Sequence, residues 1–198
     1  MDSLFISNMK TVLVFLYEGF AEFEITPVSM ELNADNGYKF TTIAYTLDPI
    51  VSSSGFQFLP HKLVSEIELS QNIAGIIIPG GSILDLRDDL KHLIMFCYQQ
   101  KCLLAAICAG PQYLAACGLL DRHKYTTTRT HERYIELEQT DPFPWENYQE
   151  QRCVQDGTII TAKGYAYNDF ALKIWSYLKI IVSEDEKKQW IDELNISI

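Results

Sequence analysis

The stretch Leu103-Leu104-Ala105-Ala106-Ile107-Cys108-Ala109-Gly110-Pro111-Gln112-Tyr113-Leu114 constrains the fold of this 198-residue chain more than any other. Small and apolar residues up to Ile107 read as a buried strand. A helical pattern starts directly after Cys108, with Pro111 in its first turn and Gly118 just past its end. Cys108 therefore stands on the corner between strand and helix. A one-residue corner is strained, and it is tolerable only beside small neighbours, here Ala106, Ala109 and Gly110. This is the small-x-nucleophile-x-small layout of a nucleophile elbow, with sulfur in place of the hydroxyl. Over the positive end of a helix the thiol is expected to ionise below its ordinary value of about 8.5. The competing reading makes Cys108 a core hydrophobe, since free cysteine is among the most buried residue types.

Other segments supply the sheet into which this elbow fits. Thr11–Tyr17 and Ile73–Ile78 are near-continuous apolar runs, as expected for parallel strands covered on both faces. Tyr38–Thr46 reads as a further strand, and Val51–Leu63 as an edge hairpin or strand. Gln149–Val154 and Thr158–Ala162 flank Asp156-Gly157, a hairpin signal. Helices are expected over Phe20–Asp35, with Pro27 delaying or kinking it, and from Leu84, with Leu86, Leu90, Leu93, Ile94 and Cys97 on one face. A short helix is expected over Thr130–Glu138, and a long one carries Phe170, Ala171, Ile174, Trp175, Leu178 and Val182. A last helix starts at the capping box Ser183-Glu184-Asp185-Glu186. Strands alternating with helices imply an α/β fold, a doubly wound, mostly parallel sheet with helices on both faces. We expect residues 1–9 to be an N-terminal extension, with Met9 an alternative start to Met1, and 10–198 to be one domain.

Twenty-six acidic against 16 basic residues give a formal charge of −10, which argues against nucleic-acid and anionic membrane surfaces as partners. No apolar run is long enough to span a membrane. Five cysteines, an odd number with no CxxC pair, point to a reducing cytoplasmic location rather than a disulfide framework or zinc site. The four histidines show no metal-ligand spacing, and dinucleotide and P-loop motifs are absent, so neither a metal nor another cofactor is expected.

Active sites of open parallel sheets form at the carboxyl ends of strands. Three such ends stand out: Glu18, Glu22 and Glu24 after the first strand, Pro79-Gly80-Gly81 after Ile78, and Cys108. Gly80 and Gly81 allow a backbone that turns its N–H groups toward a developing oxyanion. Any one of the three glutamates is, taken alone, more simply a solvated side chain. His131 is the first choice for a histidine orienting Cys108, against the plainer reading of a surface residue.

Taken in order, Val12–Leu16 with Gly19 and Phe23-Glu24, Ile77–Gly81, Ala105–Pro111, Asp156–Gly164 and Phe170–Leu172 resemble the DJ-1/PfpI (ThiJ) superfamily, within the flavodoxin-like, class I glutamine amidotransferase-like fold. The resemblance runs from residue 10 to about 182. It implies that Cys108 is the reactive group, that Glu24 hydrogen-bonds its sulfur, and that Gly80, Gly81 and the N–H groups of Cys108 and Ala109 form the anion or oxyanion site. It also implies a homodimer. Ala109 stands where protease-like members carry histidine, and Thr126-Thr127-Thr128-Arg129 offers none where other members do. The expected function is that of a cysteine-dependent hydrolase or lyase, amidase- or glyoxalase-like, acting on a small electrophilic molecule. The alternatives are a redox-responsive or stress-protective protein oxidised at Cys108 without turnover, and a vestigial amidotransferase-like dimer.

Overall fold

The computed structural model describes residues 9–194; of the expected extension at residues 1–9, all but Met9 lies outside them. The strands are β1 (Lys10–Phe15), β2 (Tyr38–Ala44), β3 (Ile50–Val51), β4 (Gln57–Phe58), β5 (Lys62–Leu63), β6 (Ile73–Ile78), β7 (Leu103–Ile107), β8 (Cys153–Asp156) and β9 (Ile159–Ala162). The α-helices are α1 (Thr26–Ser29), α2 (Asp88–Gln99), α3 (Pro111–Ala116), α4 (His131–Glu136), α5 (Tyr167–Tyr177) and α6 (Glu184–Glu193). Seven strands form one sheet in the order β5-β2-β1-β6-β7-β9-β8, parallel throughout except for β8 against β9. β3 and β4 make a separate antiparallel hairpin.

The apolar runs explain the centre of this sheet. β7 is buried along its whole length, and β1 and β6 bury their last four residues each, so their side chains need cover on both faces. The chain winds from β1 out to β2 and then reverses through β6, β7 and β9. Because parallel crossovers are right-handed, that reversal sends α1 and α2 to opposite faces. α5 packs with α1, where Trp175 Nε1 donates to Val28 O at 3.0 Å, and α6 sets Trp190 against Trp175, tilted, at 4.9 Å between ring centroids. Among the described residues no helix is long and apolar enough to cross a membrane.

Several boundaries differ from expectation, each for a local reason. The helix expected over Phe20–Asp35 is broken into a 3-10 turn at Glu22–Glu24, the single turn α1 and a second 3-10 turn at Ala34–Asn36. Pro27 sits in the first turn of α1, so the helix cannot extend backwards through it. α2 begins at Asp88 rather than Leu84, with Cys97 in the core as expected. Tyr125, just before the expected short helix, makes an isolated parallel bridge to Tyr148. Val182 is 81% exposed, beyond the end of α5, because Lys179 takes φ 60° and turns the chain. At α6, Ser183 accepts from Glu186 N, while the Glu186 carboxylate accepts from Val182 N, one residue before the expected cap.

Gly75 pairs with Leu103 across β6 and β7, and a Cβ built there would lie 2.5 Å from both Leu103 Cβ and Leu103 O. The sheet cannot open locally without breaking its ladder. Gly75→Ala should therefore destabilise the protein by about 1–3 kcal/mol, the cost of overpacking a closed core; an unchanged urea midpoint would show that the strands yield there.

Candidate active site

β7 ends as the elbow requires. Cys108 adopts φ 61°, left-handed for a residue with a side chain, at a cost of about 1–3 kcal/mol that the surroundings must repay. Both backbone groups are tied down: its N–H donates to Ala162 O at 2.8 Å, and its C=O accepts from Thr127 Oγ1 at 2.7 Å and Thr128 N at 2.9 Å. β9 and the Thr126–Thr128 segment thus hold the corner that α3 alone could not.

Of the three glutamates after β1, one reaches the sulfur. Glu18 accepts from Val51 N and Glu22 from Ser53 Oγ, so both tie down the β3–β4 hairpin. Burial pushes the Glu22 carboxyl up, but hydrogen bonds from Ser54, its own backbone and Ser52 outweigh this and hold it below its ordinary value. Glu24, 1% exposed, accepts from Gly80 N at 2.6 Å and hydrogen-bonds the Cys108 thiol. Burial raises the Glu24 carboxyl to about 7, against the hydrogen bonds from Gly80 and Cys108.

The thiol does not behave as the helix-terminus argument expects. Burial first, and the Glu24 charge second, push Cys108 up to about 11, against favourable hydrogen bonds from Thr128 and the Ala109 N–H. The physical reason is that α3 has only six residues, so its dipole is small beside the desolvation of a half-buried sulfur. The resting pair near neutral pH is a thiol beside a carboxyl that is losing its proton.

The glycine pair divides its work differently as well. The Gly80 N–H is committed to Glu24, and Gly80 O accepts from Ala21 N, so Gly80 orients the acid instead of facing an oxyanion. A Cβ at Gly80 would lie 2.6 Å from both Glu24 Oε2 and Cys108 Cβ, which is why the acid and the thiol can meet there. Gly81 lines the cavity, and among the described residues its N–H has no hydrogen-bond acceptor. With the Ala109 N–H it is the remaining donor pair. Tyr17, whose hydroxyl donates to Pro79 O at 2.9 Å, braces this turn; burial keeps its phenol neutral.

Cys108 and Glu24 open on a cavity of about 580 Å³, also lined by Gly19, Ala21, Phe23 and Ser53 on one side and by Thr128, Arg129, Thr130 and Arg133 on the other. No histidine lines it. His131 points elsewhere, its Nδ1 2.6 Å from Asp141 Oδ2 and its side chain 58% exposed. On α4 and its cap, residues 130 and 133 share one face and 131 lies about 100° round from it, so the helix turns His131 away from Cys108. Gly164, Thr128, Arg129 and Arg133 were not among the expected site residues. Gly164 belongs to the matching stretch after Asp156-Gly157, where a Cβ would sit 2.9 Å from Cys108 Sγ; its smallness was the available signal. Among the described residues no three His, Cys, Asp or Glu side chains group as a metal site would need.

A second cavity, of about 410 Å³, lies by Lys10, Ile73 and Cys102 at the opposite, amino end of the strands. Cys102 donates to Ile73 O at 3.2 Å, and a hydrogen bond from Cys97 lowers its thiol to about 7, against burial and with help from the charge of Lys10. Among the described residues no carboxyl group lines that cavity to take or return a proton, whereas Glu24 stands beside Cys108, so we place the chemistry at Cys108.

A carboxyl raised from 4.5 to about 7 in the folded state favours folding most when protonated. That contribution is complete below pH 4.5 and is lost as pH rises through about 7. Glu24→Gln removes this titration. The stability of wild type relative to Glu24→Gln should therefore fall between those limits, by up to about 3 kcal/mol at roughly 1.36 kcal/mol per unit. Urea unfolding of both proteins from pH 4 to 8.5 reads it, and a difference that stays flat would remove Glu24 from the buried pair.

Comparison with known proteins agrees with this fold. The chain is 26% identical over 181 residues to the uncharacterized protease YdeA of Bacillus subtilis, covering 91% of this chain and 89% of that protein. It is 27% identical over 184 residues to Protein DJ-1alpha of Drosophila melanogaster, covering 85% and 77%. Among solved structures, the thiJ/pfpI family protein from Bacillus anthracis superposes with a TM-score of 0.79 at 20% identity, covering 96% and 92%. Oxidized Toxoplasma gondii DJ-1 superposes at 0.73 with 22% identity, covering 96% and 100%. The family model described as DJ-1/PfpI matches residues 10–176, and the chain belongs to the DJ-1/PfpI family.

Proposed function

We propose that the protein is a cysteine-dependent enzyme, a hydrolase or lyase, that adds Cys108 to a small carbonyl or amide electrophile. The observation that carries this reading is the buried Glu24 carboxyl, balanced near pH 7, hydrogen-bonded to the thiol on the cavity wall. A thiol raised to about 11 is a poor nucleophile until something takes its proton, and the Glu24 carboxylate is the adjacent acceptor. As the S–C bond forms, the proton moves to Glu24, and charge grows on the substrate oxygen facing the Ala109 and Gly81 N–H groups. Glu24 then returns the proton to that oxygen after addition to an aldehyde. With an amide it goes to the leaving nitrogen, and water later cleaves the thioester. A Cys–His peptidase dyad is disfavoured, because Ala109 follows the cysteine and His131 faces Asp141.

A second reading draws on the same donors: the Thr128 hydroxyl and Ala109 N–H that favour negative charge on sulfur would also stabilise a sulfinate. Turnover separates the two readings.

Wild type, Cys108→Ala and Glu24→Gln should be assayed against methylglyoxal, glutamine and peptide amides. Activity should disappear in Cys108→Ala and fall about 10²- to 10⁴-fold in Glu24→Gln, the usual weight of a positioned proton acceptor. Activity shared by wild type and Cys108→Ala would sink the role of Cys108. The pH profile should carry a limb near 7 that rises with pH in wild type and is missing in Glu24→Gln; an identical limb in both would exclude Glu24 as the base.

A further inference from the structure

The cavity around Cys108 is electrostatically at odds with the rest of the molecule. The chain carries a formal charge of −10, yet the cavity is lined by two arginines and one acid, Glu24, whose charge is partly titrated near neutral pH. Arginine stays charged at any working pH.

Arg129 is the better held of the two. Its Nη2 donates to Ser82 O at 3.0 Å and to Gly81 O at 3.4 Å, and its guanidinium carbon lies 5.7 Å from the centroid of the Tyr134 ring. Those contacts fix the plane of the group while using only one of its three nitrogens. Its Nε is buried with no hydrogen-bond partner, and its Nη1 has none among the described residues. Carbonyls and an aromatic face are all that meet this half-buried charge, with no carboxylate paired to it among the described residues. Arg133, on the next turn, lines the same wall; its Nη1 reaches the exposed Glu136 at 2.9 Å and leaves its other donors free. Thr130 and Ser82 line the cavity between them and add neutral hydroxyls.

We propose that this wall is a carboxylate subsite, and that the substrate is a small carbonyl compound bearing a carboxylate, such as a 2-oxo acid. The inference rests on the reactive-cysteine reading above. The carboxylate lies against Arg129, with Arg133 supplying a second charge at the mouth, while the carbonyl carbon faces Cys108 Sγ. Addition forms the S–C bond and breaks the C=O π bond; the thiol proton passes through Glu24 to the new hydroxyl. Nothing is oxidised and no group leaves. Binding energy from the carboxylate, remote from the reacting carbon, thereby orients the carbonyl.

The test uses two alkylating agents of nearly equal size, iodoacetate and iodoacetamide. With each, Cys108 Sγ displaces iodide and its proton goes to Glu24. Rates at Cys108 are read by peptide mapping in a Cys102→Ser background, and the iodoacetate to iodoacetamide ratio is compared with that of free glutathione. The ratio at Cys108 should exceed the glutathione ratio by about tenfold, as a charge-assisted pair would give. Arg129→Gln and Arg133→Gln should each lower it several-fold. Arg133 is half exposed, so its variant keeps the test open if Arg129→Gln fails to fold. Arg122→Gln, outside the cavity, should keep the wild-type ratio. Labelling by iodoacetamide with no preference for iodoacetate would overturn the carboxylate subsite alone. An equal drop in Arg122→Gln would also overturn it, by tracing the preference to overall charge. Cys108 inert to both reagents would overturn the reactive-cysteine reading and this inference with it.

Discussion

Everything distinctive in this molecule follows from holding one side-chain-bearing residue in left-handed backbone at the end of a buried parallel strand. At φ 61°, Cys108 pays a conformational cost that α3, with six residues, cannot offset. The offset comes from β9 through Ala162 and from the threonine segment through Thr127 and Thr128. Two stretches later in the chain are thus bound to one corner. The corner in turn brings the thiol, the β6 turn and the β1 turn to the same end of the sheet, where the direction of winding reverses.

Burial then acts on the chemistry in two opposing senses. It makes Glu24 a weaker acid and Cys108 a weaker acid still, so the site does not store a thiolate. It holds a carboxyl balanced near pH 7 beside a thiol, and in the proposed mechanism ionisation waits until an electrophile is present. A resting thiolate would be open to any oxidant or alkylating agent; a thiol that ionises only as it attacks is more selective. The Gly80 N–H is diverted from the oxyanion role to keep the carboxyl aimed at sulfur.

The parts of the fold visible in the sequence were those with an unambiguous period or a strict steric demand. β1, β6 and β7 announce themselves as apolar runs, the Asp156-Gly157 hairpin by its turn residues, and the elbow by its small neighbours. Two-residue strands such as β5 have no period to detect. The segment after β1 misleads because its apolar spacing suits a helix while Pro27 and two buried glutamates require something more irregular. Glu24 was singled out by family resemblance alone, since nothing in a Glu-Phe-Glu run says which acid turns inward. Nothing in the sequence marks Arg129, in the loop before α4, or Arg133 on that short polar helix, because charged residues in such places are ordinarily solvated. His131 attracted notice for its chemistry and not its position, and helix phase decided against it.

The bond from Trp175 to the carbonyl of Val28 spans 147 positions of chain and anchors the single turn that follows Glu24. A polypeptide emerging from the ribosome therefore makes its cysteine long before it can fasten the neighbourhood of its acid, and β9, which ties the cysteine amide, also arrives later. The incomplete chain carries an ordinary thiol. The surroundings that raise this thiol to about 11 and set it beside Glu24 are complete only when the last strand and the tryptophan helix dock, so the order of synthesis leaves the character of the cysteine to be decided last.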